Sequence, residues 1–328
     1  MFAPISSTAN SPQESLENIL GTHTTKPKNA KKKAFPSNTL LLIDADTLAF
    51  SAAAVCDGSE WHIYRKDGTP YQGPFKYKAE AIKYAVENSV DEPVYKQEYK
   101  PEPLINAIAI LKRSLLPFKD NECRLWLTPK TNFRDTEVDD YKANRKGKRR
   151  PKHLQACKQH LMDEYGAKEY PGLEADDCVV VDYEFFTKVK KQKCIIVGVD
   201  KDLRQIEGTF SDYTGKSMFI SREQGRENLW CQAAAGDPTD NIKTPKGIGP
   251  ATFRKAFKDV DWSTTSDYDL MKLMIKLYAT KVPMLEGEEV AEYITRITMW
   301  IKRTFRLVYL LRSVGDKWEI PTKGGIRW

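Results

Sequence analysis

The chain has 328 residues, enough for one large domain or two of ordinary size. Its composition, 41% hydrophobic and 30% charged, is globular, and no apolar run is long enough to cross a bilayer, so we expect a soluble protein without a membrane partner. The N-terminus lacks a signal-peptide pattern, which favours the cytoplasm. None of the six cysteines forms a CxxC pair, which gives a zinc site little support.

The net charge of +7 comes from 52 basic and 45 acidic residues, and its distribution is more informative than its size. Seven of the eleven residues from Lys142 to Lys152 are Lys or Arg, whereas the carboxylates gather in short clusters elsewhere. A solvated surface explains a mild basic excess equally well. The segregation nevertheless favours a polyanionic partner bound beside a metal site.

The first predicted element follows a polar N-terminal segment. Residues 1–38 are rich in Ser, Thr, Asn, Pro and Lys without apolar periodicity, which predicts a disordered, Lys-rich tail. Thr39–Ile43 is a short apolar run typical of a buried strand, with Asp44 and Asp46 directly after it. Trp61–Tyr71 has an Asp-Gly turn between aromatic and β-branched residues and predicts a hairpin.

Strands and helices then alternate along the chain. The predicted elements are a helix from Leu104 to Leu115, a strand Arg124–Leu127, helices Pro151–Tyr165 and Ala175–Val189, and a strand Cys194–Val199 that stops at Asp200. This order predicts an α/β fold with a mainly parallel, helix-flanked sheet. Ligands of such sheets bind outside the carboxyl ends of the strands, where Asp44 and Asp200 stand.

Strand signals stop beyond Trp230. Helical patterns over Ala251–Phe257, Tyr268–Tyr278 and Val290–Leu311 predict a C-terminal helical lobe. We therefore divide the chain into an α/β core at 39–230, with a basic region at about 130–152, and a helical lobe at 231–328.

Seven further carboxylates stand after predicted strands or at predicted helix starts. They are Glu174, Asp176 and Asp177 in GLEADD, Asp200 and Asp202 in GVDKDL, and Asp237 and Asp240 in GDPTDN. Each group alone is typical of an ordinary helix start or turn. Together at one sheet edge they would repel one another strongly unless cations hold them or some stay protonated. Carboxylate oxygens select Mg²⁺ or Mn²⁺.

Two other motifs suit a phosphate backbone. In the basic run, Tyr141 offers a stacking face and Lys142 and Arg145 lie one helical turn apart, although such a run is usually a solvated loop. Near Lys246, the turn with Gly247 and Gly249 enters a predicted helix whose first N–H groups would be free to bind phosphate. A plain helix–turn–helix corner explains that turn equally well when it is taken alone.

In order and spacing, these motifs resemble the flap endonuclease and 5′→3′ exonuclease family, and its bacteriophage replication exonucleases in particular. The resemblance runs from about Thr39 to Phe257 over five motifs. It implies a PIN-like nuclease core, two metal ions at the sheet edge, a helical arch for single-stranded 5′ ends, and a helix–turn–helix in a DNA-binding lobe. The implied setting is DNA replication, in the host cytoplasm if the chain is phage-encoded.

The resemblance also implies roles for single residues. It matches Asp44, Glu174, Asp176 and Asp177 to ligands of the first metal, and Asp200, Asp202, Asp237 and Asp240 to ligands of the second. Tyr141, Lys142 and Arg145 match the YKxNR signature, in which the lysine and arginine contact the scissile phosphate. We add Lys148, Arg149 and Lys246 as nucleic-acid contacts. Gly247 and Gly249 match a GIG turn, where a monovalent cation such as K⁺ can sit against DNA.

One family position is different in this chain. After the second strand the family usually has an aspartate, whereas this chain has Thr128 and Pro129. Asp46 is close enough in sequence to compensate. The difference bears on the affinity of the first metal site and on full activity.

We therefore expect a monomeric, metal-dependent 5′→3′ exonuclease and flap endonuclease that hydrolyses DNA phosphodiesters, with an RNA–DNA hybrid as a further substrate. A haloacid-dehalogenase-like phosphatase is an alternative, because Asp44 and Asp46 form a DxD after a strand. A non-catalytic DNA-junction-binding protein is another, because of the missing aspartate.

Overall fold

A computed structural model of the chain describes residues 35–323. Its strands are β1 Leu40–Asp44, β2 Ser59–Tyr64, β3 Pro70–Phe75, β4 Val94–Tyr99, β5 Cys123–Leu127, β6 Lys168–Glu169, β7 Cys194–Val197, β8 Gly208–Ser211 and β9 Ser217–Ile220. Its helices are α1 Ala45–Val55, α2 Lys78–Glu87, α3 Leu104–Leu115, α4 Arg134–Glu137, α5 Leu154–Tyr165, α6 Ala175–Glu184, α7 Arg222–Ala235, α8 Pro250–Ala256, α9 Asp267–Ala279 and α10 Val290–Val308.

The main sheet has six strands in the order β6-β5-β1-β7-β8-β9. All neighbours are parallel except β8 and β9, which pair antiparallel. The predicted fold class, a mainly parallel α/β sheet flanked by helices and followed by a helical C-terminal region, is confirmed. The carboxyl ends of β1, β5 and β7 therefore meet at one edge.

Alternate residues of β1 pack on opposite faces of the sheet. Leu41 and Ile43 lie in a cluster with α1, α3 and α5, whereas Leu40 and Leu42 pack with α6 and with residues that follow α10. All four are fully buried, as expected of a central parallel strand covered on both faces. This burial fixes the register of β1, because a shift by one residue would exchange the two faces.

A second, three-stranded antiparallel sheet, in the order β3-β2-β4, lies between α1 and α3 in the chain. The predicted hairpin is confirmed as β2 and β3. The sequence reasoning did not predict α2 or β4, which complete this small sheet around buried Ile63.

The C-terminal helices form the cluster around Trp230, Phe253, Tyr278 and Phe305. The predicted division after residue 230 stays a prediction, and that position lies inside α7, whose Leu229 and Trp230 both pack in this cluster. In the part of the chain from 35 to 323, no helix is long and apolar enough to span a membrane.

The predicted tail lies mostly outside the described residues, which begin at Phe35. Phe35 stacks on Phe118, with ring centroids 6.0 Å apart, and packs against the core. Packing of the core therefore begins before Thr39, where the sequence reasoning placed it.

Candidate metal centre and phosphate contacts

Strand β1 ends in a buried carboxylate, Asp44. Its Oδ1 accepts the N–H of Asp46 at 3.1 Å and so caps α1, while its Oδ2 accepts the Thr47 hydroxyl at 2.6 Å. Burial raises the pKa of Asp44 to about 6; the hydrogen bonds from Thr47 oppose this, and the charges of Asp46 and Asp200 add to it. Because Asp200 follows β7, its effect on Asp44 shows that two strand ends share one electrostatic environment.

The first turn of α6 presents three acids, Glu174, Asp176 and Asp177. One oxygen of each lies within 4.8 Å of the others. Burial, and then the charges of Asp177 and Glu174, raise the pKa of Asp176 well above its ordinary value. Within residues 35–323, its carboxylate accepts one hydrogen bond, from the N–H of Asp177 at 3.0 Å. Asp176 is therefore well placed to take a cation.

Arg134 is the buried cation of this cluster, and the sequence reasoning missed it. Its side chain is 1% exposed and donates to both oxygens of Asp177, at 2.5 and 2.9 Å, and to Glu174 at 3.3 Å. It also donates to the carbonyl oxygens of Leu307 and Tyr309, at 2.8 and 3.0 Å. Burial alone would lower the pKa of Arg134, but Asp177 and Glu174 outweigh it and raise that pKa. Arg134 lies outside every recognised motif, so no sequence pattern indicated that it would pair with the acids.

Asp177 has further donors besides Arg134. Its Oδ1 accepts the N–H of Leu311 at 3.2 Å, and its Oδ2 accepts the N–H of Glu174 at 3.3 Å. With two guanidinium bonds and two backbone bonds, the fully buried carboxylate has its lone pairs occupied. Asp177 therefore fixes α6 against the C-terminal segment.

Tyr141, Lys142 and Arg145 face the acids. Lys142 Nζ lies 2.5 Å from Glu174 Oε1 and 3.5 Å from Asp240 Oδ2. Arg145 donates to Asp240 Oδ1. The Tyr141 hydroxyl donates to Glu174 and Asp240, at 3.1 and 3.3 Å, and the residue is only 5% exposed. The expectation of a stacking face on Tyr141 is therefore wrong, since its ring packs among the C-terminal helices.

The pKa values of this group reflect the same contacts. Burial acts to raise the pKa of Glu174, but Arg134 and Lys142 lower it below its ordinary value. Burial acts to lower the pKa of Lys142, but Glu174 and Asp240 raise it. Glu174 is thus an ionised carboxylate and Lys142 an ammonium over the physiological range.

Asp200, Asp202 and Asp237 form a second acidic group. Burial, and then the charge of Asp200, raise the pKa of Asp202 to about 7. The Oδ1 atom of Asp202 is buried and has no hydrogen-bond partner among residues 35–323. An unpaired buried oxygen is costly, so a missing ligand is its natural explanation. Asp200 itself is exposed, and its Oδ1 accepts the N–H of Asp202 at 2.9 Å.

Asp237 has its own partners. Its Oδ2 lies 3.0 Å from Lys201 Nζ and its Oδ1 accepts the N–H of Thr239 at 2.7 Å. Burial acts to raise the pKa of Asp237, but Lys201 and Thr239 keep it below its ordinary value. Asp240 lies in the same loop and shares a cation with the first acidic group, because Lys142 Nζ lies 2.5 Å from Glu174 Oε1 and 3.5 Å from Asp240 Oδ2.

Thr128 and Pro129 follow β5, where the family resemblance led us to expect an aspartate. Thr128 is bonded to neighbouring elements. Its hydroxyl accepts the N–H of Ala175 at 3.0 Å, and its own N–H donates to Asp46 Oδ2 at 3.0 Å. Asp46 also pairs with Lys158 at 2.5 Å. The Asp46 carboxylate thus lies beside the end of β5, but its charge is already matched by a lysine.

The basic segment after Arg145 has no helix before α5 begins at Leu154, within the described part of the chain. The basic region predicted at about 130–152 thus contains α4 and ends in a loop, and the arch or gateway that the family resemblance implies stays a prediction. Lys148 is exposed in this loop. Arg149 instead pairs with Asp57 and lies over the Tyr99 ring, 3.6 Å from its centroid. Eight residues, 146–153, separate a single 3-10 turn at Ala143–Arg145 from the start of α5.

The glycine turn lies ahead of α8. Gly247 has φ +90°, in the left-handed region, whereas Gly249 has an extended φ of −126° and caps the helix. Lys246 is exposed beside them. The Thr252 hydroxyl donates to the Gly247 carbonyl at 3.1 Å.

No protein-family model and no curated protein sequence matches the chain. Two solved structures from bacteriophage T5 are similar to it. A 5′-exonuclease with zinc ions bound is 14% identical over 83% of this chain and 89% of the other, with a TM-score of 0.44. A flap endonuclease in a pseudo-enzyme–product complex with DNA and metal ions is 13% identical over 84% and 89%, with a TM-score of 0.43.

Proposed function

We propose that the chain is a divalent-metal-dependent 5′→3′ exonuclease and flap endonuclease. The observation that carries the proposal is that Lys142 contacts both Glu174 and Asp240, and that Arg145 contacts Asp240. Carboxylates that can bind metal ions thus lie next to a lysine and an arginine that can bind a phosphate. Hydrolysis of a phosphodiester requires both.

The residues fit divalent metal ions. The donors are all oxygens, and the buried, unpaired Oδ1 of Asp202 together with the raised pKa values of Asp44 and Asp176 indicates carboxylates that lack a cation. Such a donor set suits Mg²⁺ or Mn²⁺. We assign one ion to Asp44, Glu174 and Asp176, and a second to Asp200, Asp202, Asp237 and Asp240. Asp177 is not assigned as a ligand, because Arg134 already pairs with its carboxylate; it supports the first site by holding α6 in place.

Bound metals would supply an activated water and stabilise the leaving 3′ oxygen. Metal ions bound to Glu174 and Asp240 would compete with Lys142 and Arg145 for these carboxylates. Lys142 and Arg145 would then be free to bind the scissile phosphate. Tyr141 holds Glu174 and Asp240 in place through its hydroxyl.

The substrate would be DNA with a free 5′ end or flap, and an RNA–DNA hybrid as a second class. Nothing in the site suggests reading of base edges, so affinity should come from phosphates and fall steeply with salt. Lys148, Arg149 and Lys246 would contact the backbone. The turn at Gly247 and Gly249 would hold duplex, with K⁺ as a further ligand, and the protein would act as a monomer during replication.

A non-catalytic junction-binding protein is the second candidate, favoured by Thr128 in place of an aspartate and by the pairing of Asp46 with Lys158. The same pairing disfavours a haloacid-dehalogenase-like phosphatase. A carboxylate that exchanges a proton with a substrate has to be free to do so, and Asp46 is held by Lys158.

A flap-cleavage assay tests the proposal. A 5′-flap DNA labelled at either end should be cut with Mg²⁺ or Mn²⁺, bound without cleavage in Ca²⁺, and left intact after chelation. Asp202→Asn should abolish cleavage while leaving the fold unchanged. Binding of the flap without cleavage in any of these metals would favour the junction-binding protein. Cleavage that persists after thorough chelation would contradict a metal mechanism.

A further inference from the structure

The small sheet β3-β2-β4 and helix α2 have a core of their own. Ile63 of β2 is buried with Ala81 and Ala85 of α2, and partly buried aromatic side chains pack around them. None of these elements contributes a residue to the two acidic groups. The outer strands β3 and β4 each pair on one side only within residues 35–323, so each presents an edge.

The two edges of this sheet differ in their chemistry. Strand β3 contains Pro70, Gly73 and Pro74, which blunt an edge because proline has no N–H to donate and glycine weakens a strand. Strand β4 is six residues long and has neither proline nor glycine. It pairs with β2 over its whole length without a shift in register. A long, regular edge of this kind is a template for a further strand.

The backbone groups at the edge of β4 follow from its ladder with β2. The N–H of Lys100 donates to the Gly58 carbonyl at 2.7 Å, so these two residues form a hydrogen-bonded pair. In an antiparallel ladder such pairs alternate with pairs whose backbone groups point away from each other. The N–H and C=O groups of Tyr95, Gln97 and Tyr99 therefore point away from β2, and no residue from 35 to 323 hydrogen-bonds to them.

The side chains of β4 match a second copy of the same strand in one antiparallel register. When Gln97 of the two copies lies opposite itself, Lys96 of each copy lies opposite Glu98 of the other, and Tyr95 lies opposite Tyr99. The outward backbone groups then meet one another and can form about six hydrogen bonds. Opposite charges and aromatic pairs placed directly across two strands stabilise their pairing.

The charges of β4 also exclude the neighbouring registers. A shift of the second strand by two residues places Lys96 opposite Lys96 in one direction and Glu98 opposite Glu98 in the other. Like charges directly opposite each other are destabilising. A lysine on an edge strand usually discourages pairing, but here Glu98, two residues away, compensates it when the strand meets its own copy.

Both charged side chains are accessible at this edge. Lys96 is exposed and lies over the Tyr64 ring, 4.2 Å from its centroid. Within the described chain, 35–323, Lys96 has no ion pair. The Glu98 side chain is 44% exposed; its Oε1 accepts the Tyr64 hydroxyl at 2.6 Å, and its Oε2 lies 3.6 Å from Nε2 of His62. An unrelated peptide would have to supply the same order of lysine and glutamate to match this edge.

We propose that β4 pairs antiparallel with β4 of a second copy of this chain, which joins the two small sheets into one continuous sheet. The proposal goes beyond the proposed nuclease function and does not depend on it. Because β4 supplies no residue to the metal centre, one copy remains the catalytic unit. A pairing of two short strands buries little surface, so the dimer is weak and dissociates on dilution.

Two opposite charge reversals test the register. In a dimer of Lys96→Glu, two glutamates face each other across the strands, and in a dimer of Glu98→Lys two lysines do. Each variant alone should therefore lose self-association by about tenfold or more. An equimolar mixture of the two variants places every lysine opposite a glutamate and should associate as the parent does. The double variant should also associate with itself.

Sedimentation equilibrium of the full chain over a wide range of protein concentrations measures these associations. Lys83→Glu is the matched control, because it makes the same charge change on the exposed face of α2, where Lys83 pairs with Glu87. It should associate as the parent does. Gln97→Pro removes an outward N–H without breaking a bond to β2, so it should abolish association while unfolding at the temperature of the parent.

Three results would overturn the proposal. A parent that stays monomeric over the whole range would leave this edge without a second copy as its occupant. Unchanged association of Gln97→Pro would place the contact elsewhere on the chain. A mixture of the two charge variants that does not associate, although each variant unfolds cooperatively, would exclude the register. None of these results depends on whether the chain cleaves DNA.

Discussion

Arg134 holds Asp177 through two parallel hydrogen bonds, 2.5 and 2.9 Å long, between side chains that are 1% and 0% exposed. The same guanidinium donates to the carbonyl of Leu307, in the last turn of α10, and to that of Tyr309, directly after the helix. Gln205, three residues after Asp202, contacts the same part of the chain: its amide donates to the Val308 carbonyl at 2.6 Å, and its side-chain oxygen accepts the N–H of Leu310 at 3.3 Å. The end of α10 and the residues directly after it therefore contact both the Arg134–Asp177 pair and the turn that follows Asp202.

Loss of Arg134 should strongly destabilise the protein. Arg134→Gln leaves Asp177 buried without its cation, and breaking a buried pair from one side costs about 3–5 kcal/mol. Arg124→Gln is the control, because Arg124 pairs with Asp182 but its own side chain is 37% exposed. Exposed pairs contribute at most about 1 kcal/mol. The free energy of unfolding in urea would be compared, and equal losses would contradict the anchoring role.

The contribution of Asp44 to the stability of the metal-free protein should fall as pH rises. The pKa of Asp44 is raised by burial to about 6, from about 3.9 for an unperturbed aspartate. A raised pKa contributes stability that is complete below about pH 4 and is lost as pH rises through the folded value. With about 1.36 kcal/mol per unit, Asp44 alone accounts for a decrease on the order of 3 kcal/mol between pH 4 and 8.

Urea unfolding in the presence of a chelator measures this decrease. Asp44→Asn should flatten the curve, because asparagine caps α1 equally well and does not ionise. Added Mg²⁺ should restore stability most at high pH, where the carboxylates are ionised. An unchanged pH slope in Asp44→Asn would show that Asp44 is not the residue responsible.

The sequence was sufficient to predict the strands that carry the site, because each is a short apolar run followed by an acid, as in β1 before Asp44 and β7 before Asp200. It was insufficient where one contact depends on distant segments. Arg134 meets Leu307 and Tyr309 across more than 170 residues, and no local pattern announces that. Tyr141 was misjudged for the same reason, since only the C-terminal helices bury its ring.

Gly247 should resist replacement. Its φ of +90° is strained for any residue with a side chain, so Gly247→Val should cost about 1–3 kcal/mol and distort the turn. Under the proposed function, affinity for duplex-containing substrates should fall more than affinity for single strands. Gly249→Ala is the control for backbone strain, since its φ is extended and no atom lies within 4 Å of an added Cβ. Equal losses on both substrates would contradict a duplex-binding turn.

Lys142 should act on the reaction rather than merely attract DNA. Its ammonium, 2.5 Å from Glu174 and 3.5 Å from Asp240, is held at the acids and only 25% exposed, whereas Lys148 is exposed in the same basic segment. A lysine that only attracts DNA would, on removal, lower the salt slope by about one unit and leave turnover at saturation intact. A lysine aimed at developing charge costs on the order of a hundredfold in single-turnover rate.

Lys142→Ala and Lys148→Ala therefore separate the two roles when both are measured on one 5′-flap DNA at saturating enzyme and fixed salt. We expect Lys142→Ala to lose the rate and Lys148→Ala to lose only affinity. Loss of Lys142 also leaves Glu174 with one cation fewer, so metal affinity should be measured alongside by titrating Mg²⁺. The Mg²⁺ affinity of Lys142→Ala should rise, because an ammonium that competes for Glu174 is gone. A slow variant with unimpaired Mg²⁺ binding would therefore have its defect at the phosphate. Similar saturated rates for the two variants would reduce Lys142 to one charge of a basic surface.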